Sequence, residues 1–367
     1  MQHRGLVAYD CAQYAVSLKA AQKELGDLGL SLNFFHYSYF RGFPRRPKVL
    51  ARFALQEIRI LRALRSGSYS FAIIPAQIER SRLLAYFLRT ARKHRVDVYM
   101  YWHDCRWILG KVRDLVGEHD FERFTDLLEA YQPQHLVVSP SAFADAHRVV
   151  GIQEAHCVWN ATPRTPVHKD PDNDPPIIVN VASVQLRKAP ELFVDIAQYV
   201  CARHPTVKFV WVGGGSISEL RSYLRAAGLH ERVAFVGWSD DPGTWISRSS
   251  ALLLTSRSEA FGLGVAQAMA TARTVIAFAG TGASDALKDS GIVVQRYDTV
   301  AAAETILAIL ERPVGDRINS SARQRYEAMF SPEAFAKRLA GVLKGRSEVV
   351  LTVTNPDAEQ SRQIERL

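Results

Sequence analysis

Cysteine is scarce in this chain. Four stand among 367 residues, at Cys11, Cys105, Cys157 and Cys201, with no Cys-x-x-Cys spacing. Such scatter supports neither a zinc site nor a disulfide framework, and it suits a reducing compartment. Long apolar runs are lacking too, since none approaches the ~18–20 residues that span a bilayer. The opening, MQHRGLVAYDCAQ, has no apolar stretch of the signal-peptide kind. The expectation is a cytoplasmic protein, soluble or peripheral at the inner face of a membrane. Acids are outnumbered: 37 Asp and Glu face 46 Lys and Arg, giving a net charge of +9. That balance favours an anionic partner. No nucleic-acid-binding module is recognisable, so nucleic acid is not the expected one.

What is present is an α/β pattern. Hydrophobic residues make up 47% of the chain, enough for two cores at this length. In the first half, short apolar runs predict strands at Gly5–Tyr9, Leu30–His36, Phe71–Pro75, Asp97–Trp102, Leu136–Ser139 and His156–Trp159. Helical periodicity fills Ala12–Leu28, Lys48–Leu64, Arg80–His94 and Phe121–Tyr131. Asn160 to Pro176, NATPRTPVHKDPDNDPP, is rich in proline and reads as a linker or surface loop. The second half repeats the alternation. Strands are predicted at Ile177–Ala182, Lys208–Val212, Val233–Val236, Ala251–Leu254, Thr274–Phe278 and Ile292–Val294, and helices at Pro190–Arg203, Ser218–Ala227, Leu263–Thr271 and Thr299–Glu311. Such alternation predicts parallel sheets covered on both faces, with ligands at the carboxyl edges of the strands. Pro332–Lys344 reads as a final helix, and the residues after Gly345 as a loosely ordered tail in which Val349–Val353 has strand character.

The chemistry concentrates in Ser256–Ala270, SRSEAFGLGVAQAMA, which follows the apolar run Ala251–Leu254. Strand, glycine-bearing loop and helix place backbone N–H groups and a helix N-terminus at the mouth of a sheet. Glu259 sits on the loop and Gln267 on the helix, so a carboxylate and an amide flank an anion site. A hydroxyl-rich, phosphate-bearing ligand suits all three features.

The stretch from Glu259 through Phe261, Gly262, Leu263 and Gly264 to Gln267 resembles the Glu-x7-Glu signature of the retaining glycosyltransferases of family 4. That resemblance implies a GT-B fold: two Rossmann-like, doubly wound α/β domains facing each other across a cleft. It implies an acceptor domain over 1–162, a nucleotide-sugar donor domain over 163–331, and a helix over 332–345 that crosses back to the first domain. In the family the first acid approaches the donor sugar and the second holds the nucleotide ribose. Here the second is Gln267, which still bonds hydroxyls but without charge assistance. Val181–Ala189, VASVQLRKA, resembles the family stretch whose arginine and lysine grip the donor diphosphate. Lys188 falls on the lysine; Ser183 stands at the arginine, and Arg187 is the nearest substitute charge. The run VKFVWVGGG resembles the family's glycine turn, with Gly213 and Gly214 beside the nucleotide. Trp238 ends the next strand and either stacks near the base or packs.

In the first domain, His103 follows a strand end, where the family often has a histidine facing the donor sugar; a structural histidine is the other reading. The family's glycine-rich loop after the first strand is not visible, and Asn160 reads as a turn residue. No metal and no cofactor are expected. Asp170-Pro171-Asp172 has the letters of a metal-binding Asp-x-Asp, yet no apolar strand precedes it. Arg41 to Arg65 holds Arg41, Arg45, Arg46, Lys48, Arg52, Arg59, Arg62 and Arg65 against a single acid, Glu57. This basic amphipathic stretch reads as an anionic membrane surface site or as a solvated helix face.

The expected function is retaining transfer of a sugar from a nucleotide-sugar to a hydroxyl on a glycan or lipid-linked acceptor, in surface polysaccharide or glycolipid assembly. The alternatives are a sugar-nucleotide epimerase of the same fold and a catalytically weak donor-binding subunit, the latter motivated by Ser183 and Gln267.

Overall fold

The structure is a computed structural model. It describes residues 3–9, 12–36, 47–76, 78, 81–104, 106–165, 175–311, 316–346 and 349–353. Arg41, Arg45, Arg46 and the Asp170-Pro171-Asp172 motif lie outside the described residues. The chain forms two compact units, one of Met1–Trp159 with Ala336–Leu367, the other of Asn160–Phe335.

The first unit runs β1 (His3–Tyr9), α1 (Ala12–Ala20), α2 (Gln22–Asp27), β2 (Leu30–His36), α3 (Pro47–Arg65), β3 (Phe71–Pro75), α4 (Ser81–Lys93), β4 (Asp97–Trp102), α5 (Arg106–Val116), α6 (Glu118–Tyr131), β5 (Gln134–Val137), α7 (Pro140–Val150) and β6 (Glu154–Cys157). The second unit contains β7 (Ile177–Val181), α8 (Pro190–Arg203), β8 (Lys208–Val212), α9 (Ser218–Ala226), β9 (Val233–Gly237), α10 (Pro242–Ser247), β10 (Ala251–Leu254), α11 (Leu263–Ala270), β11 (Thr274–Phe278), α12 (Gly282–Leu287), β12 (Ile292–Val294), α13 (Thr299–Glu311) and α14 (Asp316–Met329). The chain re-enters the first unit at Ala336, inside α15 (Pro332–Leu343), and ends its described part with β13 (Val350–Thr352).

Each unit is a parallel sheet clothed in helices. The first sheet has the order β13-β6-β5-β4-β3-β1-β2, the second β12-β11-β10-β7-β8-β9. Every described strand-to-strand ladder is parallel except β13 on β6, where Leu351 faces Ala155. Strands in such sheets are buried on both faces and so read as unbroken apolar runs. Ala251–Leu254 and Thr274–Phe278 are buried throughout. In both sheets the strand order reverses once, between β1 and β3 in the first and between β7 and β10 in the second. Helices on either side of such a point leave a crevice at the carboxyl ends of the two strands.

Two local differences from the sequence reading, at Ser139 and Ala21, accompany one agreement in the tail. The predicted strand Leu136–Ser139 ends at Val137, because Ser139 caps α7: its side chain accepts from the Ala142 N–H at 3.0 Å, with Pro140 in the first turn. The strand character read in Val349–Val353 is realised as β13, whose backbone pairs with β6 at the sheet's end. The predicted helix Ala12–Leu28 divides at Ala21, which leaves helical geometry at φ −100° and ψ 13°.

Candidate active site

At the crevice between β7 and β10 stand Arg187, Lys188 and Glu259. After β7 the chain crosses to a short 3-10 turn, Leu186–Lys188. Its course is fixed by buried Trp211 on β8, whose indole N–H donates to the Ala182 carbonyl at 2.6 Å. Phe193 meets that indole edge-on at 5.3 Å and itself packs edge-on against Phe209 at 5.5 Å. Ala189 then takes φ 51° and ψ 58°, a left-handed conformation that a residue with a Cβ rarely adopts. Strain of that kind persists only where the surroundings impose it. Here they are the buried Thr255 at the end of β10, whose hydroxyl lies 3.0 Å from the Lys188 carbonyl and 3.1 Å from that of Ala189. The amide of buried Asn180 on β7 in turn points at Thr255 from 3.4 Å.

The result is an ion cluster. Lys188 Nζ bonds the Glu259 carboxylate, Ser256 Oγ donates to the same oxygen at 3.3 Å, and Arg187 stands 3.8 Å away. All three charged side chains are largely enclosed: 12% exposed for Lys188, 11% for Glu259 and 17% for Arg187. Burial alone would raise the Glu259 pKa, but Lys188, Arg187 and the Ser256 hydroxyl outweigh it and hold the carboxyl below its ordinary value. One carboxylate therefore meets two cations, and the cluster carries a net positive charge toward an incoming anion. The loops that bear it are stitched together. Arg187 donates to the Ser258 carbonyl at 3.1 Å, the Arg257 N–H to the Arg187 carbonyl at 2.8 Å, and the Arg257 side chain to Glu191 and the Leu186 carbonyl.

Beside Glu259 the backbone turns into α11 at Gly262, with φ 85°. A Cβ there would lie 3.2 Å from Val265, 3.4 Å from Ala283 and 3.5 Å from the Glu259 side chain, so it is the left-handed backbone, more than space, that favours glycine. Gly264 is different, because a Cβ would meet nothing closer than 3.7 Å. Leu263, Gly264 and Gln267 follow on α11, all half-buried. Phe261 is a core residue: its ring is 2% exposed and stacks edge-on against Phe330 at 5.4 Å, so only its backbone faces the loop. The glycine run after β8 also reads differently in three dimensions. A Cβ on Gly213 would lie 1.9 Å from the Ala182 carbonyl oxygen and one on Gly215 2.5 Å from that of Val184. These two glycines let the 182–184 loop lie across the turn, whereas space above Gly214 is open. Ser183 lies in that loop. Trp238, after β9, is 77% exposed with its indole N–H on Asp240 at 3.0 Å, so of its two readings the packing one falls away.

Thr255, Asn180, Ser256 and Arg257 are the site residues that sequence reading missed. Thr255 and Ser256 had a signal, two hydroxyls at a strand end three and four residues before the key acid. Asn180 had a weaker one, a polar residue inside a buried strand. The backbone of α12's first residue joins them: Gly282 N–H donates to the Glu259 carbonyl at 2.8 Å.

His103 belongs to the first unit, at the carboxyl end of β4. Its ring lies 4.0 Å from that of Tyr101, which donates to the Val158 carbonyl at 2.6 Å. Burial pushes its pKa down to about 3, so the imidazole is neutral at physiological pH. Among the described residues no group of three or more His, Cys, Asp or Glu side chains is placed to hold a metal ion.

Comparison with known proteins finds likenesses for the second unit and for the fold. Residues 175–312 match the family described as Glycosyl transferases group 1. The match lies within the second unit and takes in Lys188, Glu259 and the whole β7/β10 crevice. Over 178 residues the chain is 26% identical to an alpha-D-kanosaminyltransferase of Streptomyces kanamyceticus, 47% of this chain and 46% of that one. The chain spans less than half the length of the curated relatives it matches. Two solved structures follow nearly the whole fold. Sucrose-phosphate synthase from Thermosynechococcus elongatus superposes with a TM-score of 0.73 at 17% identity, covering 94% of this chain and 98% of the other. Anabaena HepE in complex with UDP-glucose gives 0.71 at 15%, covering 93% and 99%. The fold is GT-B, with two Rossmann-like units as the sequence led one to expect.

Proposed function

We propose that the chain is a retaining glycosyltransferase, moving a sugar from a nucleotide-sugar to a hydroxyl of a glycan or lipid-linked acceptor in surface polysaccharide or glycolipid assembly. The observation that carries this reading is the Lys188–Glu259–Arg187 cluster in the β7/β10 crevice. A diphosphate there meets two cations and the first turn of α11. Both cations neutralise charge that grows on the phosphate as the sugar leaves. Arg187 supplies the charge that Ser183 does not. Glu259 accepts a hydrogen bond from a donor-sugar hydroxyl, Gln267 exchanges hydrogen bonds with the ribose, and Trp238 offers an open aromatic face to the base. In the first unit, the neutral His103 exchanges hydrogen bonds with a sugar hydroxyl.

The cluster holds no carboxylate clear of cations to serve as a nucleophile. The reading is therefore attack on the face from which the leaving group departs, with the leaving phosphate taking the acceptor's proton. The protein contributes position and charge stabilisation. A relative named for alpha-glycosyl transfer and a structural neighbour holding UDP-glucose support it.

The test is turnover of a panel of nucleotide-sugars with and without glycan acceptors, reading nucleoside diphosphate release and the product's anomeric configuration by NMR. Retention in an acceptor-dependent product is the expected result. Inversion refutes the mechanism. Acceptor-independent release of nucleotide points to the epimerase, and donor binding without turnover to a binding subunit.

A further inference from the structure

We propose that the exposed face of α3 and α4, in the first unit, docks on an anionic lipid bilayer. The charge of the chain is divided unevenly between its units. Met1–Trp159 with Ala336–Leu367 carries 28 Lys and Arg against 19 Asp and Glu, while Asn160–Phe335 carries 18 against 18. The whole net charge of +9 thus resides in the first unit. Within it, residues 41–95 hold 14 basic residues and two acids, Glu57 and Glu79.

The two helices that cover most of this stretch pack side by side. Each has one buried face, Ile60 and Leu64 on α3, Leu84, Phe87, Leu88 and Ala91 on α4. The opposite faces carry Arg59, Arg62 and Arg65 on α3 and Arg89 and Lys93 on α4, all exposed and in no ion pair among the described residues. Among the described residues no acid compensates their charge. Set among them at helical spacing are large apolar side chains open to solvent: Leu55 at 60%, Ile58 at 41% and Tyr86 at 65%. Leu55, Ile58, Arg62 and Arg65 follow one another three or four residues apart, with Arg59 four from Leu55 and three from Arg62, and so share a face; Tyr86, Arg89 and Lys93 do the same.

A soluble polyanion would ask for the charges alone. A bilayer takes both components, with arginines at the headgroups and leucine, isoleucine and tyrosine at the acyl boundary. No described helix is long and apolar enough to cross a membrane, so the contact is superficial. This inference stands on the first unit and does not depend on the chemistry of the second.

The experiment is co-sedimentation of the full chain with vesicles of phosphatidylcholine alone, and of phosphatidylcholine containing phosphatidylglycerol, at low and high salt. Binding is expected to the anionic vesicles only, and to fall as salt rises. Each engaged arginine strengthens partitioning about fivefold, so R59Q/R62Q/R89Q weakens it roughly a hundredfold. L55S/I58S/Y86S keeps every charge and still weakens binding. All six positions are exposed, so both variants should melt as the parent does. Equal binding to neutral and anionic vesicles, or binding to neither, overturns the proposal. So does an unchanged affinity in L55S/I58S/Y86S, or binding of polyuridylate as tight as that of anionic vesicles, which would make the face a site for a soluble polyanion.

Discussion

Thr255→Val removes one hydroxyl and keeps the side chain's shape, which makes it a sharp probe of how Lys188 is held. The Thr255 hydroxyl is shared between the carbonyls of Lys188 and Ala189 and lies in reach of the Asn180 amide. The Ala189 carbonyl keeps the Leu192 N–H at 3.1 Å, so the loss falls on the Lys188 carbonyl and on Asn180. Asn180 is 1% exposed and lies away from bulk solvent. Leaving a buried polar group unsatisfied costs about 1–3 kcal/mol, and two weakly bonded groups give a total of ~2–4 kcal/mol. For a unit of this size 1 kcal/mol shifts Tm by roughly 2–4 °C, so the expected fall is ~5–15 °C. Thr255→Ser keeps the hydroxyl and should retain most of the stability. Denaturant unfolding of the three proteins measures the difference, and titration with a nucleoside diphosphate should show weaker binding in the valine variant as the Lys188 turn loosens. A valine variant as stable as the parent refutes the reasoning. A serine variant as weak as the valine one assigns the effect to methyl packing instead.

The other predictions rest on separate features. Gly213→Ala drives a Cβ to 1.9 Å from a backbone carbonyl and should destabilise by more than ~2 kcal/mol, while Gly214→Ala, with open space above it, should stay within ~0.5 kcal/mol; thermal melts decide. Glu259→Gln strands Lys188 beside a neutral amide. Because the Glu259 carboxyl is held below its ordinary value of 4.5, its contribution is present above that pH and lost as pH falls through the lowered pKa. The stability difference between parent and variant should therefore shrink in acid, and a difference constant down through that range would contradict the ion-pair reading. Gln267→Ala should weaken nucleotide binding by about 0.5–1.5 kcal/mol, and Gln267→Glu should preserve or tighten it; unchanged affinity in the alanine variant removes the ribose contact.

Much of the fold was legible because parallel sheets bury both faces of a strand. Ala251–Leu254 and Thr274–Phe278 appear in the structure at the predicted bounds, since unbroken apolar runs between polar turns leave little choice of register. Short helices were harder to see. α10 and α12 have six residues each, too few for a periodic stripe, and are set by caps, Asp241 on Thr244 and Thr281 on Ser284. The Glu259–Lys188 meeting was legible only through the family resemblance, because 71 residues separate the two in sequence. The fastening of Lys188 by Thr255 was not legible at all, since it depends on the side-by-side pairing of β7 with β10. The packing reason for a glycine at position 213 was hidden for the same reason. Gly213 answers to the Ala182 carbonyl, a neighbour that only the folded loop supplies.

The central claim is that the β7/β10 crevice binds the diphosphate of a nucleotide-sugar through Lys188. Calorimetric titration of the parent and of Lys188→Ala with UDP, GDP and ADP measures this directly. The account predicts that the parent binds at least one of them. It also predicts that the variant, still folded by its melting curve, binds it roughly 10- to 150-fold more weakly, the worth of one charge-assisted hydrogen bond of ~1.5–3 kcal/mol. Equal affinity in parent and variant, or no binding of any of the three by the parent, would contradict it.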